Sequence, residues 1–193
     1  SKQISLLIAA IGVCVNLNYS QANASEFDYR ADISYSEANP DYSVFPNGEG
    51  VTLYGRVTYD QSIFVFARRA NASFQPSGEV SGPEVDHWFE AGVGYRHAIS
   101  DSWDVEGNIS YQEISQNGVD EDGNGYQLGA RYQPFEKLGF GLHVGKIDIK
   151  IDDYTLVFET DYQLTDHVYF VARLRDYADW DFTYYEGGIG LKF

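Results

Sequence analysis

The chain has 193 residues, enough for one domain, and carries 16 Tyr, 19 Gly and 5 Pro. Its formal net charge of −16 excludes a nucleic-acid partner, which needs a basic stripe, and simple docking on an anionic membrane surface. The 1 Cys, Cys14, lies in an apolar N-terminal run, so no disulfide framework is expected in the remainder of the chain.

The N-terminal run reads as an export signal. Lys2 supplies a positive start, Ile4 to Val15 an apolar stretch, and Ala22-Asn23-Ala24 an A-x-A cleavage site. The apolar stretch is too short for a spanning helix, which needs about 20 residues. Val13 before Cys14 disfavours a lipoprotein signal. The expected division is therefore a cleaved leader over 1–24 and a domain over 25–193. Cleavage removes one lysine and no acid, leaving 12 basic against 29 acidic residues, a charge of −17. No later apolar run suits a membrane helix.

The domain alternates apolar and polar residues with a period of two, in segments of about ten residues separated by turns. Segment one, 26–36, puts Phe27, Tyr29, Ala31, Ile33 and Tyr35 on one face, with Asp28, Arg30 and Asp32 opposite. Segment two, 51–60, has Val51, Leu53, Val57 and Tyr59 outward, and Tyr54 and Arg56 inward. Segment three, 63–74, is apolar on both faces near its start, so its facing stays open. Segment four, 86–97, places Glu90 and Arg96 inward, and segment five, 103–113, does the same for Asp104, Glu106 and Asn108. Segment six, 125–133, alternates Tyr126, Leu128, Ala130 and Tyr132 with Gln127, Arg131 and Gln133. Segment seven, 138–149, turns Leu138, Phe140, Leu142 and Val144 outward. Segment eight, 154–163, turns Glu159 and Asp161 inward, and segment nine, 167–176, does so for Arg173 and Arg175. Segment ten, 182–193, directs Tyr185, Ile189, Leu191 and Phe193 outward, and Tyr184, Glu186 and Lys192 inward.

The connections at 60–62, 100–102, 134–137 and 165–167 are short, while 37–50, 75–85, 114–124, 150–153 and 177–181 are mostly longer or more polar. Short turns alternating with longer loops, aromatics near segment ends and charge on the inward face together predict an all-β fold. That fold is a transmembrane, antiparallel, up-and-down β-barrel of about ten strands. Eight strands is the alternative, and it requires 148–162 to hold a single strand.

The last segment, Tyr184-Tyr185-Glu186-Gly187-Gly188-Ile189-Gly190-Leu191-Lys192-Phe193, resembles the C-terminal strand of Gram-negative outer-membrane proteins. The resemblance implies an outer-membrane location in the cell envelope, a porin-like barrel, and Tyr185, Ile189, Leu191 and Phe193 as the signal read by the barrel-assembly machinery. Outer-membrane lipid and that machinery are then the expected partners, with the barrel a monomer because closure leaves no free edge.

The inward charges Arg30, Arg56, Glu90, Arg96, Glu106, Arg131, Glu159, Asp161, Arg173, Arg175 and Glu186 form the candidate site. Buried charges must be paired or wet. A salt-bridged, largely closed lumen with acidic outer loops and a structural or surface role is one reading. A narrow channel for small solutes or ions is the other. Asp120, Asp122 and Asn124 resemble the start of a calcium loop, but Arg131 stands where the bidentate Glu belongs. No cofactor is implied. Asp86-His87 evokes an outer-membrane protease, yet parity turns His87 towards lipid, so no enzyme is expected.

Overall fold

A computed structural model describes residues 27–40, 48–74, 85–116, 118–149, 152–179 and 182–193. The expected leader and its cleavage site lie outside these residues. The described chain forms ten strands: β1 (Phe27–Pro40), β2 (Gly48–Tyr59), β3 (Ile63–Phe74), β4 (Val85–Ser100), β5 (Trp103–Gln116), β6 (Val119–Phe135), β7 (Leu138–Asp148), β8 (Asp152–Gln163), β9 (Val168–Tyr177) and β10 (Phe182–Lys192).

Each strand pairs antiparallel with its sequence neighbours, and β1 pairs with β10 to close the barrel. Beyond the last strand residue, the amides of Tyr29 and Phe193 each donate to the other's carbonyl at 3.0 Å. Closure leaves no edge strand along the wall, which is what allows a sheet to stand in lipid. The eight-strand alternative fails because Asp148 pairs with Asp152 across a separate β7–β8 hairpin.

Alternation decides the facing. Ile33, Leu53, Val65, Val93, Ile109 and Leu128 are exposed on the outer wall. The exposed aromatics gather towards the two strand ends, as with Tyr154 and Tyr162 on β8. Those two are eight residues apart. At about 3.3 Å per residue and a tilt of about 40°, they stand about 20 Å apart along the axis. Two aromatic girdles flanking an aliphatic band match the depth of a membrane's apolar layer.

The strand bounds differ from the sequence reading at the long-loop end. The expected loop 114–124 is mostly ladder: β5 and β6 pair as far as Gln116 opposite Val119, with Gly118 at φ 74° in the turn. A left-handed turn residue suits glycine, and a tight turn lets the hairpin run on. At the other end, Asp60 (φ 47°) and Gln61 (φ 56°) make the β2–β3 turn, closed by the Ser62 amide on the Tyr59 carbonyl at 3.0 Å. Two consecutive left-handed residues define a type I′ turn, whose twist fits a hairpin.

Candidate functional site

The inward face fills the lumen in layers. Nearest the long-loop end lies an apolar layer of Ala38, Ala70, Trp88, Ile147, Tyr177 and Tyr184, joined by Ile149 and Ile114. Trp88 and Tyr177 meet with ring centroids 5.0 Å apart. The indole also donates to the Gln112 side-chain oxygen at 2.7 Å, which satisfies its one polar atom.

Below this layer, arginines and carboxylates interlock. Arg173 reaches Asp32 at 2.7 Å, Glu159 at 2.6 Å and Glu186 at 3.5 Å. Glu186 also takes Arg68 from β3 at 2.5 Å and Arg175 at 3.7 Å. Arg131 bridges Glu159 at 2.8 Å and Asp161 at 2.6 Å. A second hub is Glu106, which receives Arg56 at 3.1 Å, Arg96 at 3.3 Å and His143 at 2.8 Å. Aromatic rings sit against the guanidiniums: Arg56 lies 3.6 Å from the Phe64 ring centre and Arg173 lies 4.8 Å from that of Tyr54. The fork of arginine can hold two carboxylates while its face rests on a ring, which lysine cannot do.

These pairs cross the interior as chords. Two strands lie between those of Arg68 and Glu186 around the ring, and two between those of Arg56 and Glu106, while Arg173 spans β10 to reach Asp32. Burial of charge is tolerated because each hub carboxylate collects two to four cationic or hydroxyl groups.

Most of the charges expected to meet do so, with two exceptions. Glu90 is buried, but its bond comes from the Ser110 hydroxyl at 3.2 Å, and no arginine pairs with it among the described residues. Among the described residues, the one carboxylate that Arg30 reaches is Asp28, at 3.7 Å, outside the main lattice.

Three members escaped the sequence reading. Arg68 is inward, because Tyr59 and Ile63 stand opposite each other across the hairpin and must share a face. That relation settles the parity of β3 and could have been read from the short turn. His143, which parity turns towards the lumen, lies outside the expected charge set, yet it is buried on Glu106. Of the apolar layer only Tyr184 is expected inward: Ala38, Ile114 and Tyr177 fall in expected connections, and Trp88, on the parity of Glu90, is hidden from a rule that turns apolar residues outward.

The calcium-loop reading does not hold. Asp120, Asp122 and Asn124 lie on one face of extended strand β6, each opposite a β5 residue. Such residues stand about 6.6 Å apart in turn and do not converge as loop ligands do. Among the described residues, no group of three or more His, Cys, Asp or Glu is placed to hold a metal. His87 faces outward, with a ring nitrogen 3.5 Å from Glu113. Tyr185, Ile189, Leu191 and Phe193 share the exposed outer face of the closing strand.

Free space inside is small. A cavity of about 60 Å³ lies among Arg56, Phe64, Glu106, Arg131, His143 and Arg173. A second of about 60 Å³ opens at the short-turn end and shares Arg30, Arg131 and Asp161 with the first.

A closed antiparallel barrel with girdled outer wall and charged interior is the fold of the outer-membrane β-barrels. No protein-family model and no curated protein matches the chain. Among solved structures, an outer-membrane channel from Pseudomonas putida is similar at 10% identity and a TM-score of 0.50, over 90% of this chain and 100% of that one. The NanC porin is similar at 9% identity and 0.49, over 84% and 100%. Ail, the attachment invasion locus protein of Yersinia pestis, is similar at 13% identity and 0.40, over 87% and 98%. Likeness at such identity concerns fold alone, and one barrel fold serves unrelated functions.

Proposed function

We propose that this protein resides in a Gram-negative outer membrane, reached after cleavage of a leader over 1–24, and that it works as a closed barrel rather than a pore. Its role on this reading is structural or surface-interacting, through an acidic long-loop end. The observation that carries it is the Trp88–Tyr177 contact, with rings 5.0 Å apart from opposite walls, stacked above the arginine–carboxylate chords. A ten-stranded barrel has little room beyond its own side chains, and the two small cavities agree with that. Exposed Glu49, Asp120, Asp122, Asp148 and Asp152 near the long-loop end supply the acidic face. The reading is non-enzymatic: the lattice carboxylates Asp32, Glu106, Glu159 and Glu186 are engaged by arginines, not held apart as an acid and a base. Lipid and the assembly machinery are its partners, the latter through the C-terminal strand, and closure favours a monomer.

The narrow-channel reading is favoured by one feature: the two cavities lie in sequence along the lumen and share Arg131 and Asp161. Conductance of the refolded mature chain in a planar bilayer separates the two. A closed barrel gives no steps, with insertion verified by protease protection. Steady, reproducible steps establish the channel instead.

A further inference from the structure

The cavity at the short-turn mouth is basic in a protein of net charge −16. Arg30, Arg96, Arg131, Lys137 and Lys192 line it. They come from β1, β4, β6, the β6–β7 turn and β10, so the convergence belongs to the closed fold and not to any one segment. Asp104, Glu136 and Asp161 also line it, two fewer anionic than cationic groups, and Arg96 and Arg30 are held by Glu106 and Asp28, so the two lysines carry the charge open to a ligand. Asp161 is already engaged by Arg131 at 2.6 Å. Among the described residues, neither Lys137 nor Lys192 pairs with a carboxylate. The amides of Gln133 and Gln163 complete a lining rich in donors.

A cavity of about 60 Å³ holds a group the size of a phosphate or a carboxylate with its waters, and little more. Low-dielectric walls focus the field of the surrounding cations onto whatever enters. Arg131, fixed by Glu159 and Asp161, presents an oriented guanidinium at the floor, while the two lysines can move to meet a ligand. We propose that this vestibule is a binding site for an oxyanion, a phosphate or carboxylate group on a soluble molecule approaching from the short-turn side. The proposal is independent of whether the barrel conducts.

The test is calorimetric titration of the refolded full barrel, in zwitterionic micelles at low salt, with inorganic phosphate and separately with acetate. Saturable binding of at least one is expected, weakening as salt rises. Lys137→Gln with Lys192→Gln removes two unpaired charges and breaks no ion pair, and should weaken binding about tenfold or more. Asp104→Asn removes an opposing charge and should tighten it several-fold, an arm that stands even if the double variant does not refold. Which probe binds more tightly separates a phosphate source from a carboxylate one. Absence of saturable binding by both, or equal affinity in all three proteins, overturns the site.

Discussion

Trp88 and Tyr177 touch, at 5.0 Å between ring centroids, from strands that four others separate in either direction around the barrel. No chord of the ring is longer, so the lumen is spanned by side chains there. Arg68 links this contact to the layer beneath: its guanidinium lies 5.8 Å from the Trp88 ring centre and bonds Glu186 at 2.5 Å. The two closures are therefore in series, and one survives loss of the other. Trp88→Ala should cost about 3–5 kcal/mol of stability yet leave bilayers silent. Trp88→Ala combined with Arg68→Ala should give measurable conductance. Current through the single variant would show that the apolar layer alone closes the barrel.

The lattice has an internal ranking. Arg173 serves Asp32, Glu159 and Glu186, and its side chain is 3% exposed. Arg173→Ala leaves Asp32 without an arginine in a dry site, so a loss of about 3–5 kcal/mol is expected. Arg131→Ala leaves Glu159 still held by Arg173 at 2.6 Å, and Asp161 opens onto the short-turn vestibule. Its loss should be smaller, about 1–3 kcal/mol. Urea unfolding of both refolded variants, read by the heat-dependent gel shift of folded barrels, checks the order. Equal losses would argue that the hubs do not share load as the distances imply.

The architecture was legible in the sequence because lipid and lumen impose opposite chemistry on alternate residues. That is why Arg56, Glu106, Arg131, Glu159, Arg173 and Glu186 could be assigned inward before any pairing was known. What period two cannot show is which residues meet across the ring. The Arg56–Glu106 chord joins positions 50 residues apart, and only the closed register brings them together. An inward apolar residue is also invisible to a rule that equates apolar with outward, which hides Trp88, and Tyr177 lies one residue beyond the expected end of its segment. The hairpin over 114–124 reads as loop because its acids and glycines are weak strand formers. Continuous cross-strand pairing from Tyr111 opposite Asn124 to Gln116 opposite Val119 overrides that preference.

Glycines on the two faces should respond in opposite ways. A Cβ on inward Gly94 would run into the Phe64 ring and stand 2.7 Å from the Gly107 carbonyl oxygen. Phe64 is held in turn under Arg56, so it has little room to yield. Gly94→Ala should therefore cost about 1–3 kcal/mol. At Gly187, on the outer wall, a Cβ meets nothing within 4 Å. Gly187→Ala should be neutral or stabilising by up to about 1 kcal/mol, since it narrows the unfolded ensemble. Thermal melts of the two refolded proteins decide it, and a comparable loss at both sites would contradict the assigned faces.

Depth, not exposure, should govern the outer wall. Leu128 and Val119 lie on the same strand and are similarly exposed, at 65% and 59%. Leu128 sits on the outer wall in the aliphatic band between the girdles, whereas Val119, of the opposite parity, is exposed where it flanks the turn at the tip of the β5–β6 hairpin. In water the two sites are equivalent, and an arginine at either costs little. In a bilayer, an arginine near the midplane costs about 2–4 kcal/mol and one beyond the interface costs almost nothing. Leu128→Arg and Val119→Arg, refolded into lipid vesicles and unfolded in urea, should therefore differ by at least about 2 kcal/mol. In a detergent with a looser apolar layer the gap should shrink. Equal stability of the two variants in vesicles would place Leu128 in water and refute the membrane orientation on which the surface role depends.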